Sequence, residues 1–581
     1  MISFKAKSRI IIVTVIIRQK IGINAVSEGK CIYMIKINLN GKTIDIEAGK
    51  SVLEIAKANG VLGDFDVLAL VNGNTVALET IIEKDSEISL INYTDIKGHR
   101  AYVRTLQFVL IKAINDIFPT ARVTLEHSLG KGIFGEIKKD TPLNEEDILK
   151  IKKRMQELID KDIVVNKYKV PKKRAIEIFE GYGYEDKIKL LEYITKEELT
   201  LHEIDGQYDY FFGDLVSTTG MLKTFDLKLY DPGFILIIPN DKDPSKVATF
   251  VDHKKLFKIF YETEQWGNIL GVGDIASLNS KVGGKDTLDL ILISEALHEK
   301  KIAYIADKIK EKEGVKLVLI AGPSSSGKTT FAKRLGIQLK VNGLEPVPIS
   351  LDDYFVNRED TPLDENGEYD FEAIDAIDIE GFNKDLTALM DGKTITPPKF
   401  NFITGSRYYD GTTLTVPENG VLIVEGIHGL NEILTKSIPK ENKFKIYISA
   451  LTQINIDDHN RIFTTDVRML RRIVRDSLSR GTMAKETLKR WPSIKRGEEK
   501  NIFVFQEEAD AMFNSTIIYE MGILKKYALK ELLKIEKGEP EYDEARRLIK
   551  FLKPIKEVDV ELVPRNSIMR EFIGGSCFYQ Y

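Results

Sequence analysis

The spacing of apolar and polar residues along the chain divides it into regions with different predicted secondary structure. From residue 34 apolar positions alternate with polar ones, as in half-buried strands, and Asn40-Gly41 supplies the tight turn of a hairpin. Ser51 then precedes a run with helical spacing and is suited to cap it. Further short strands follow, so the pattern over residues 34–95 predicts a small β-grasp-like domain.

Residues 96–255 mix the helical and the strand periodicity. A helical run over 105–117 is stopped by Pro119, and a second one covers 145–160. Strand-like runs follow within 225–238. This mixture predicts an α+β domain.

The next stretch, 256–293, contains Gly271 and Gly273, but no β-branched strand precedes these glycines. We therefore interpret it as a linker and not as a dinucleotide-binding loop.

Residues 294–581 show a third pattern, in which near-continuous runs of Val, Ile and Leu are separated by helical segments. The apolar runs lie at 315–321, 347–351, 421–424, 444–450 and 516–519. Runs of this kind indicate a parallel sheet that is covered by helices on both faces. The pattern therefore predicts an α/β domain.

The first of these runs leads directly into a glycine-rich loop, Gly322 to Thr329, with the sequence GPSSSGKT. The glycines let backbone N–H groups face phosphate oxygens, and the following helix adds positive potential at its N-terminus. Lys328 is placed to reach the β- and γ-phosphates, and the Thr329 hydroxyl to ligate Mg²⁺. The sequence thus predicts an ATP–Mg²⁺ site formed by Gly322, Pro323, Ser324, Ser325, Ser326, Gly327, Lys328, Thr329 and Thr330.

Acidic residues follow two other predicted strands. Asp352 and Asp353 end the second strand, and Glu425 ends the third. In a parallel sheet, ligands bind outside the carboxyl ends of the strands. A carboxylate at that edge can hold Mg²⁺ or accept a proton from an attacking hydroxyl, and we predict these functions for Asp352 and Glu425.

A basic cluster lies in a helical segment that ends at Gly481, and it consists of Arg468, Arg471, Arg472, Arg475 and Arg480. Several of these arginines recur at spacings of three and four, so they share one helix face. Arginines on a mobile lid offset the charge on a phosphoryl group during its transfer. We predict this lid at 475–496, while at least one arginine is expected to pair with Asp466 or Asp476 on a solvated face.

Residues from about 314 to 520 resemble the uridine kinases of the uridine kinase/phosphoribulokinase group of P-loop enzymes. The resemblance rests on ordered motifs: Asp352-Asp353-Tyr354-Phe355, Tyr369-Asp370-Phe371, Pro398-Lys399-Phe400-Asn401-Phe402, Glu425-Gly426-Ile427 and Arg471-Arg472-x-x-Arg475-Asp476 with Arg480-Gly481.

The resemblance implies a P-loop kinase fold and a role for each matching residue. It implies that Asp352 is the base for a nucleoside 5′-hydroxyl, assisted by Lys328, Arg475 and Arg480 as catalytic groups. It further implies a metal site at Thr329, Glu425 and Asp352. It implies substrate contacts for Asp370, Phe400, Phe402, Tyr354 and Arg472.

Three positions depart from the uridine kinase pattern. Gly405 stands where a histidine commonly meets the pyrimidine edge, Arg490 replaces a lid glutamine, and Thr482 replaces a lid arginine. Losing groups that hydrogen-bond a base changes selectivity by orders of magnitude. Transfer to a nucleoside-like hydroxyl is therefore expected, but the base and the choice between ATP and GTP stay open.

The N-terminal half resembles other proteins. Residues 34–95 resemble a TGS domain, and about 96–240 resemble the editing-type second domain of threonyl-tRNA synthetases. The editing site of that domain uses an H-x-x-x-H pair and a later C-x-x-x-H pair. Aligned on Ala113-Ile114 with Phe118-Pro119 and on Asp214-Leu215, these pairs become Arg104 and Phe108, then Val216 and Gly220. This replacement implies that the deacylase chemistry is absent.

The composition limits which binding partners and which cellular compartment fit this protein. The net charge of −4, from 84 Lys+Arg and 88 Asp+Glu, argues against a chain-wide nucleic-acid surface. Cys31 and Cys577 are the two cysteines, which favours a reducing compartment and not a disulfide framework. The sequence has no apolar run of about 18 residues, so no membrane span is predicted. We expect a cytoplasmic protein, and its oligomeric state stays open.

Residues 1–33 contain an apolar stretch, 10–17, which is bracketed by Arg9 and Arg18. We hypothesise that Met34 is the true start and that residues 1–33 are an artefact of gene calling, which the N-terminal mass of the native protein tests.

Together these patterns predict an ATP-dependent nucleoside kinase, similar to uridine/cytidine kinases, that carries an N-terminal TGS and editing-like module. One alternative is an RNA-binding regulator that uses its nucleotide site as a switch, with RNA or a nucleotide as effector of the N-terminal module. Another is a P-loop kinase of a different small alcohol, which the aromatic pair Phe400 and Phe402 disfavours because a flat base explains stacking walls better.

Overall fold

The computed structural model describes residues 26–27, 30–31, 33–365, 367–452 and 454–579. The hypothesis about residues 1–33 therefore lies almost entirely outside the described residues. The chain forms two compact units. The first contains the residues up to Ile178 and Lys196–Val251, and the second contains Phe179–Thr195 and the residues from Asp252 onward.

The strands are numbered here in chain order, and the helices likewise. The strands are β1 (Val26–Ser27), β2 (Lys30–Cys31), β3 (Met34–Leu39), β4 (Lys42–Glu47), β5 (Lys50–Ser51), β6 (Asp66–Val71), β7 (Asn74–Val76), β8 (Ile81–Ile82), β9 (Ser86–Asn92), β10 (Arg122–Leu129), β11 (Gly132–Lys138), β12 (Asn166–Pro171), β13 (Glu198–Ile204), β14 (Gln207–Asp209), β15 (Asp226–Tyr230), β16 (Gly233–Ile237), β17 (Leu317–Ala321), β18 (Glu345–Ser350), β19 (Lys399–Asn401), β20 (Ser406–Tyr408), β21 (Gly420–Glu425), β22 (Lys443–Ser449) and β23 (Ala511–Asn514).

The α-helices are α1 (Val52–Ala58), α2 (Ile96–Ile117), α3 (Glu145–Asp160), α4 (Lys172–Tyr182), α5 (Glu185–Leu191), α6 (Lys254–Leu270), α7 (Ile275–Lys281), α8 (Gly284–Glu311), α9 (Lys328–Val341), α10 (Ile379–Met390), α11 (Thr464–Ser479), α12 (Ala484–Asn501), α13 (Glu520–Leu532), α14 (Tyr542–Leu552) and α15 (Arg570–Ile573). Across the described ranges, none of these helices is both long and apolar enough to cross a bilayer.

The first unit begins with a five-stranded sheet in the order β4-β3-β9-β6-β7. Strand β3 pairs antiparallel with β4 and parallel with β9, which is a β-grasp arrangement around α1. The predicted hairpin is confirmed: Asn40 and Gly41 have φ of 49° and 87°, as a tight primed turn requires. Ser51 caps α1 as predicted, in a reciprocal capping box with Glu54.

The rest of the first unit is built on the sheet β10-β11-β16-β15, packed against α2 and α3. Helix α2 begins at Ile96, nine residues before the predicted start. Asp95 caps its N-terminus, and the early helical residues Ala101 and Tyr102 are buried in the core. Val67 and Leu68 of β6 belong to the same hydrophobic core as α2. The β-grasp sheet and the α+β region therefore share one core.

Residues 256–293 do not form the linker that the sequence predicted. They lie in helices α6 and α7 and in the start of α8, and Leu256, Ile259 and Phe260 are buried. Gly271, with φ of 64°, ends α6 in the left-handed conformation, and Asp274 caps α7. Gly271 therefore ends one helix and Gly273 lies just before the next, which the sequence pattern did not predict.

The second unit contains the predicted parallel sheet, in the order β18-β21-β17-β22-β23. Central strand β17 is buried along its whole length. The predicted fifth strand at 516–519 is wrong: the strand is Ala511–Asn514, and the apolar run after it leads into α13. This α/β architecture places the carboxyl ends of β17, β18 and β21 along one edge.

Candidate functional site

The loop between β17 and α9 is shaped to bind an anion. A Cβ atom on Gly322 would lie 2.1 Å from the carbonyl oxygen of Ile448, so only glycine fits there. Ser325 and Gly327 have positive φ angles of 59° and 83°, which turns successive amides toward one side of the loop. The buried hydroxyls of Ser325 and Ser326 have no hydrogen-bond partner. Donors without partners at a helix N-terminus fit a polyphosphate.

Lys328 folds back over this loop. Its ammonium donates to the carbonyl oxygens of Gly322 and Pro323 at 3.0 Å and 3.1 Å. These two carbonyl oxygens, which carry only a partial negative charge, hold the Lys328 ammonium at the mouth of the loop. Phosphate oxygens can replace them there.

Glu425, the last residue of β21, lies beside the loop. Its Oε1 accepts hydrogen bonds from the hydroxyls of Thr329 and Ser350, both at 3.3 Å. Burial and, next, the nearby Asp352 carboxylate together raise the pKa of Glu425 to about 7, against the opposing charge of Lys328. The predicted convergence of Thr329, Glu425 and Asp352 is therefore present in the structure.

Asp352 lies in a short 3₁₀ helix directly after β18, which pairs with β21 so that Ser350 is opposite Glu425. Burial raises the pKa of Asp352 above its usual range, although the positive charges of Lys328 and Arg480 oppose this shift. A carboxylate with a raised pKa beside the phosphate loop is suited to accept a proton near neutral pH.

The oxygen ligands at this edge fit Mg²⁺. In the described part of the chain no group of three or more His, Cys, Asp and Glu side chains forms a metal cluster. Mg²⁺ is usually held by one or two carboxylates together with substrate phosphates and water, so Glu425 and Asp352 with the Thr329 hydroxyl meet its needs.

The neighbouring Asp353 has a different function. Its carboxylate accepts from the Lys399 ammonium at 2.8 Å and from the Phe400 amide at 3.3 Å. Asp353 thus fixes β19 beside the site, whereas Asp352 faces Glu425 and the loop.

The basic cluster of α11 divides into two sets. Arg468 and Arg471 are fully buried and pair with Glu498 and Glu520. Arg468 also donates to the carbonyl of Ser324 at 3.2 Å, while Glu498 accepts from the Ser324 amide at 2.9 Å. These two arginines are thus paired with buried carboxylates and contact the backbone of the phosphate loop at Ser324 and Ser325.

The remaining three arginines meet at Asp476. Arg475, Arg472 and Arg480 approach its carboxylate at 2.7 Å, 3.3 Å and 3.7 Å. Burial alone would raise the pKa of Asp476, but these guanidinium groups outweigh it and lower the pKa. Arg472 also donates to the Ser324 hydroxyl at 2.7 Å. A positive cluster thus borders the loop, with Asp476 as its anchor.

The residues that the uridine kinase resemblance assigned to the substrate include two neighbouring aromatic rings. Phe400 and Phe402 are 5.2 Å apart between ring centroids, and the Arg480 guanidinium lies 5.3 Å from the Phe402 ring. Asp370 accepts from the Glu372 amide at 3.1 Å. Tyr354 is 1% exposed and donates to Asp385, so its ring supports the site from within the core and is not placed to touch a substrate.

Gly405 is constrained by the fold. Its φ is 70°, and a Cβ atom would lie 2.7 Å from the Nε of Arg358. Arg358 in turn donates to the carbonyl of Phe402 at 2.9 Å. A histidine at this position would be strained by the left-handed backbone and would displace the Arg358 side chain, so the local fold favours glycine here. Arg490, the second departure, is exposed on α12.

Glu372 is a site residue that sequence reasoning missed. Burial and, next, the Glu498 carboxylate together raise its pKa to about 7, while Arg472 and Lys328 oppose the shift. Its Oε2 is buried without a hydrogen-bond partner. Glu372 directly follows the motif Tyr369-Asp370-Phe371, and this adjacency is the sequence signal that could have identified it.

A second missed element is the C-terminal segment 567–579, which packs behind the phosphate loop. Glu571 accepts from the amide and the hydroxyl of Thr330 at 3.0 Å and 2.8 Å, and the Tyr579 hydroxyl lies 2.6 Å from that of Thr330. Phe572 lies 4.8 Å beneath the Arg471 guanidinium. The segment thus caps the first turn of α9 through Thr330.

We expect Glu571→Ala to lower the free energy of unfolding of the second unit by about 2 kcal/mol, because a buried carboxylate would no longer satisfy two Thr330 donors. Urea unfolding followed by tryptophan fluorescence measures this, since both tryptophans, Trp266 and Trp491, belong to that unit. The exposed Glu561→Ala is the control and should change stability by less than about 0.5 kcal/mol. Equal effects of the two variants would contradict the capping role.

The model of the phosphoribulokinase/uridine kinase family matches residues 317–518. That span contains the phosphate loop, Asp352, Glu425 and the arginine cluster. Residues 317–518 form a phosphoribulokinase/uridine kinase family domain. The kinase domain is thus an α/β P-loop kinase, and the sequence prediction of this fold is confirmed.

Three individual proteins illustrate the similarity. A structure reported as "Structure of a Possible Uridine Kinase from Bacillus stearothermophilus" is 18% identical, with a TM-score of 0.26, and covers 37% of this chain and 98% of that one. The N-terminal region is similar to threonine–tRNA ligases. That of Hahella chejuensis is 30% identical over 179 residues, 30% of this chain and 28% of that protein. That of Clostridioides difficile is 27% identical over 198 residues, 34% and 31% of the two chains. The chain therefore spans less than a third of the length of either ligase.

The structure places the four positions assigned to the editing pairs within or beside the core of the first unit. Arg104 donates to the carbonyl of Asp214 at 2.6 Å, and Phe108 is buried against Phe211. Val216 is 1% exposed, and Gly220 lies against Asp162. Arginine, phenylalanine, valine and glycine at these places supply packing and one backbone contact.

Proposed function

We propose that the protein is an ATP-dependent kinase that phosphorylates the 5′-hydroxyl of a nucleoside. The observation that carries the proposal is the meeting of Lys328, Asp352 and Glu425 at one sheet edge, beside the Phe400–Phe402 wall. The phosphate loop supports ATP as donor, Asp352 supports a hydroxyl acceptor, and the aromatic wall supports a flat base.

In the proposed reaction the loop amides and Lys328 hold the β- and γ-phosphates of ATP. Asp352 accepts the proton of the 5′-hydroxyl while the hydroxyl oxygen bonds to the γ-phosphorus. The bond between the γ-phosphorus and the β–γ bridging oxygen breaks, and ADP leaves. Arg475 and Arg480 stabilise the charge that moves with the phosphoryl group. Mg²⁺, when bound at Glu425, Asp352 and Thr329, supplies neutralisation of the triphosphate charge.

The proposed reaction includes closure of the lid, residues 475–496, over the bound substrates. Arg475 and Arg480 lie at its start, and both are tied to Asp476. Closure over the acceptor would bring these arginines to the γ-phosphate and exclude water, which limits wasteful hydrolysis.

Two other functions remain candidates on specific observations. The similarity to threonine–tRNA ligases favours an RNA-responsive nucleotide switch, with an RNA or nucleotide effector at the N-terminal module. Gly405 has a left-handed backbone that disfavours the histidine with which uridine kinases meet the pyrimidine edge. This favours an acceptor other than uridine, including another small alcohol. Cytoplasmic location stays a prediction, and whether the protein forms a homo-oligomer stays open.

ADP release with magnesium-ATP, measured across the common nucleosides, tests the proposal. We expect release to rise at least about tenfold over the rate without acceptor for one or more nucleosides, with a nucleoside monophosphate as product. Hydrolysis that responds to added RNA and ignores every nucleoside would instead support the switch. Release that requires a non-nucleoside alcohol would support the other kinase.

A further inference from the structure

Arg358 lies beside the Phe400–Phe402 wall and has no part in the reaction described so far. Its backbone amide donates to the carbonyl of Gly405 at 2.8 Å, and its Nη2 donates to the carbonyl of Phe402 at 2.9 Å. A Cβ atom on Gly405 would lie 2.7 Å from its Nε and 2.8 Å from its Cζ. The guanidinium therefore lies in space that Gly405 leaves open, against the turn of the β19–β20 hairpin.

The charge of Arg358 is not taken up by an acidic neighbour. Two other cations of this hairpin, Lys399 and Arg407, donate to Asp353 and Asp378 at 2.8 Å and 2.6 Å. Arg358 is exposed, and within the part of the chain that the structure describes its guanidinium pairs with no carboxylate. A guanidinium has several N–H donors and no acceptor, and one carbonyl engages a single nitrogen. The remaining donors are available to a ligand that presents acceptors.

The wall beside Arg358 fits the flat ring of a base. Phe400 and Phe402 stand edge to face, with 74° between their ring planes, and Phe355 lies 5.7 Å from Phe400. Phe402 is 46% exposed, so part of its ring is open for stacking. This inference rests on the kinase reaction proposed above, in which the base of the acceptor stacks on this wall. The edge of such a base would then meet the guanidinium that is bound to the Phe402 carbonyl.

A group that can only donate discriminates among the bases. Guanine presents two adjacent acceptors, O6 and N7, which match the planar fork of an arginine, and hypoxanthine has the same pair. Adenine places an amino donor beside N7, cytosine presents an amino donor, and uracil presents the single acceptor O4 at the corresponding edge. The guanidinium therefore favours a base whose edge carries a carbonyl next to a ring nitrogen without hydrogen.

We propose that Arg358 selects the acceptor of this kinase and that the preferred acceptor is a 6-oxopurine nucleoside, guanosine or inosine. The guanidinium donates to O6 and N7 while the purine ring stacks on the Phe400–Phe402 wall. Arg358 thus determines specificity, and phosphoryl transfer itself depends on the phosphate loop and Asp352. Gly405 contributes to the same selection, because a side chain there would displace the guanidinium.

Initial rates of ADP formation with magnesium-ATP test the proposal across guanosine, inosine, adenosine, uridine, cytidine and 7-deazaguanosine. We expect kcat/KM for guanosine and inosine to exceed that for the other natural nucleosides by at least about tenfold. The 7-deaza analogue keeps the ring and O6 but lacks N7. It should lose about tenfold in kcat/KM relative to guanosine, because one of the two hydrogen bonds cannot form.

Substitutions at Arg358 separate the effect of its fork from that of its charge. Arg358→Met keeps a long side chain and should lower kcat/KM for guanosine by about tenfold or more, chiefly through KM, with less than about a twofold change for adenosine. Arg358→Lys keeps the charge without the planar fork and should not restore the preference. The matched control Lys384→Met removes a positive charge from an exposed position on α10 and should leave the preference unchanged.

An unchanged Kd for magnesium-ATP, measured by calorimetry, would show that each variant is folded. The inference is overturned if adenosine, uridine or cytidine is the best acceptor, if 7-deazaguanosine matches guanosine, or if Arg358→Met keeps the guanosine preference. Each of these results leaves the nucleoside kinase reaction intact. Failure of every nucleoside as an acceptor would instead remove that reaction, and the inference with it.

Discussion

Lys328→Met should reduce phosphoryl transfer by about a thousandfold or more, which is the largest effect expected of any single substitution in this protein. The Lys328 ammonium is held at the loop mouth by the carbonyl groups of Gly322 and Pro323, where it can meet the β- and γ-phosphates. Methionine keeps a long apolar side chain but removes the charge that offsets the negative charge of the moving group. Initial rates of ADP formation in the presence of the accepted nucleoside measure the loss.

A matched control is available on the same helix. Lys333 is exposed on α9, so Lys333→Met removes one positive charge without touching the loop. We expect its rate to stay within about twofold of the unaltered protein. Comparable losses in both variants would mean that net charge, and not the position of Lys328, controls the reaction.

Asp352→Asn should lower kcat by about a hundredfold to ten-thousandfold, while the Kd for magnesium-ATP changes by less than about threefold. Asparagine matches aspartate in shape but cannot take a proton from the acceptor hydroxyl. The raised pKa of Asp352, caused by burial, suits it to act as a base close to neutral pH. Steady-state kinetics with calorimetry of nucleotide binding separates the catalytic effect from the binding effect.

Asp353 supplies the control for this second prediction. It is adjacent in sequence, but its carboxylate is engaged by Lys399 and by the Phe400 amide. Asp353→Asn should therefore affect the acceptor's KM through the position of β19 more than it affects kcat. Normal turnover in Asp352→Asn, or an equal fall of kcat in both variants, would exclude Asp352 as the base.

Much of the kinase domain was predictable because its signals are local. The loop from Gly322 to Thr329 needs a strand before it and a helix behind it, and all three parts are contiguous in sequence. Asp352 and Glu425 were found by the rule that acidic residues at the carboxyl ends of parallel strands share an edge. That rule worked because β18 and β21 are neighbours, with Ser350 opposite Glu425.

Local signals misled where a pattern had two explanations. The glycines Gly271 and Gly273 indicated a linker, yet they end one helix and precede another. The run 516–519 is as apolar as a strand, but it is buried as the approach to α13, and the strand precedes it. Periodicity shows that such residues are buried but does not show which element buries them.

The sequence by itself determined the α/β kinase fold, the phosphate loop and the carboxylates that end the strands, because each depends on neighbours in the chain. Only the tertiary structure decided which acidic partner each arginine of the cluster has. Arg468 and Arg471 look like Arg475 in sequence, but Glu498 and Glu520, which approach from other helices, bury and neutralise them. The same holds for Glu571: its partner Thr330 is distant in sequence, so no local pattern records the contact.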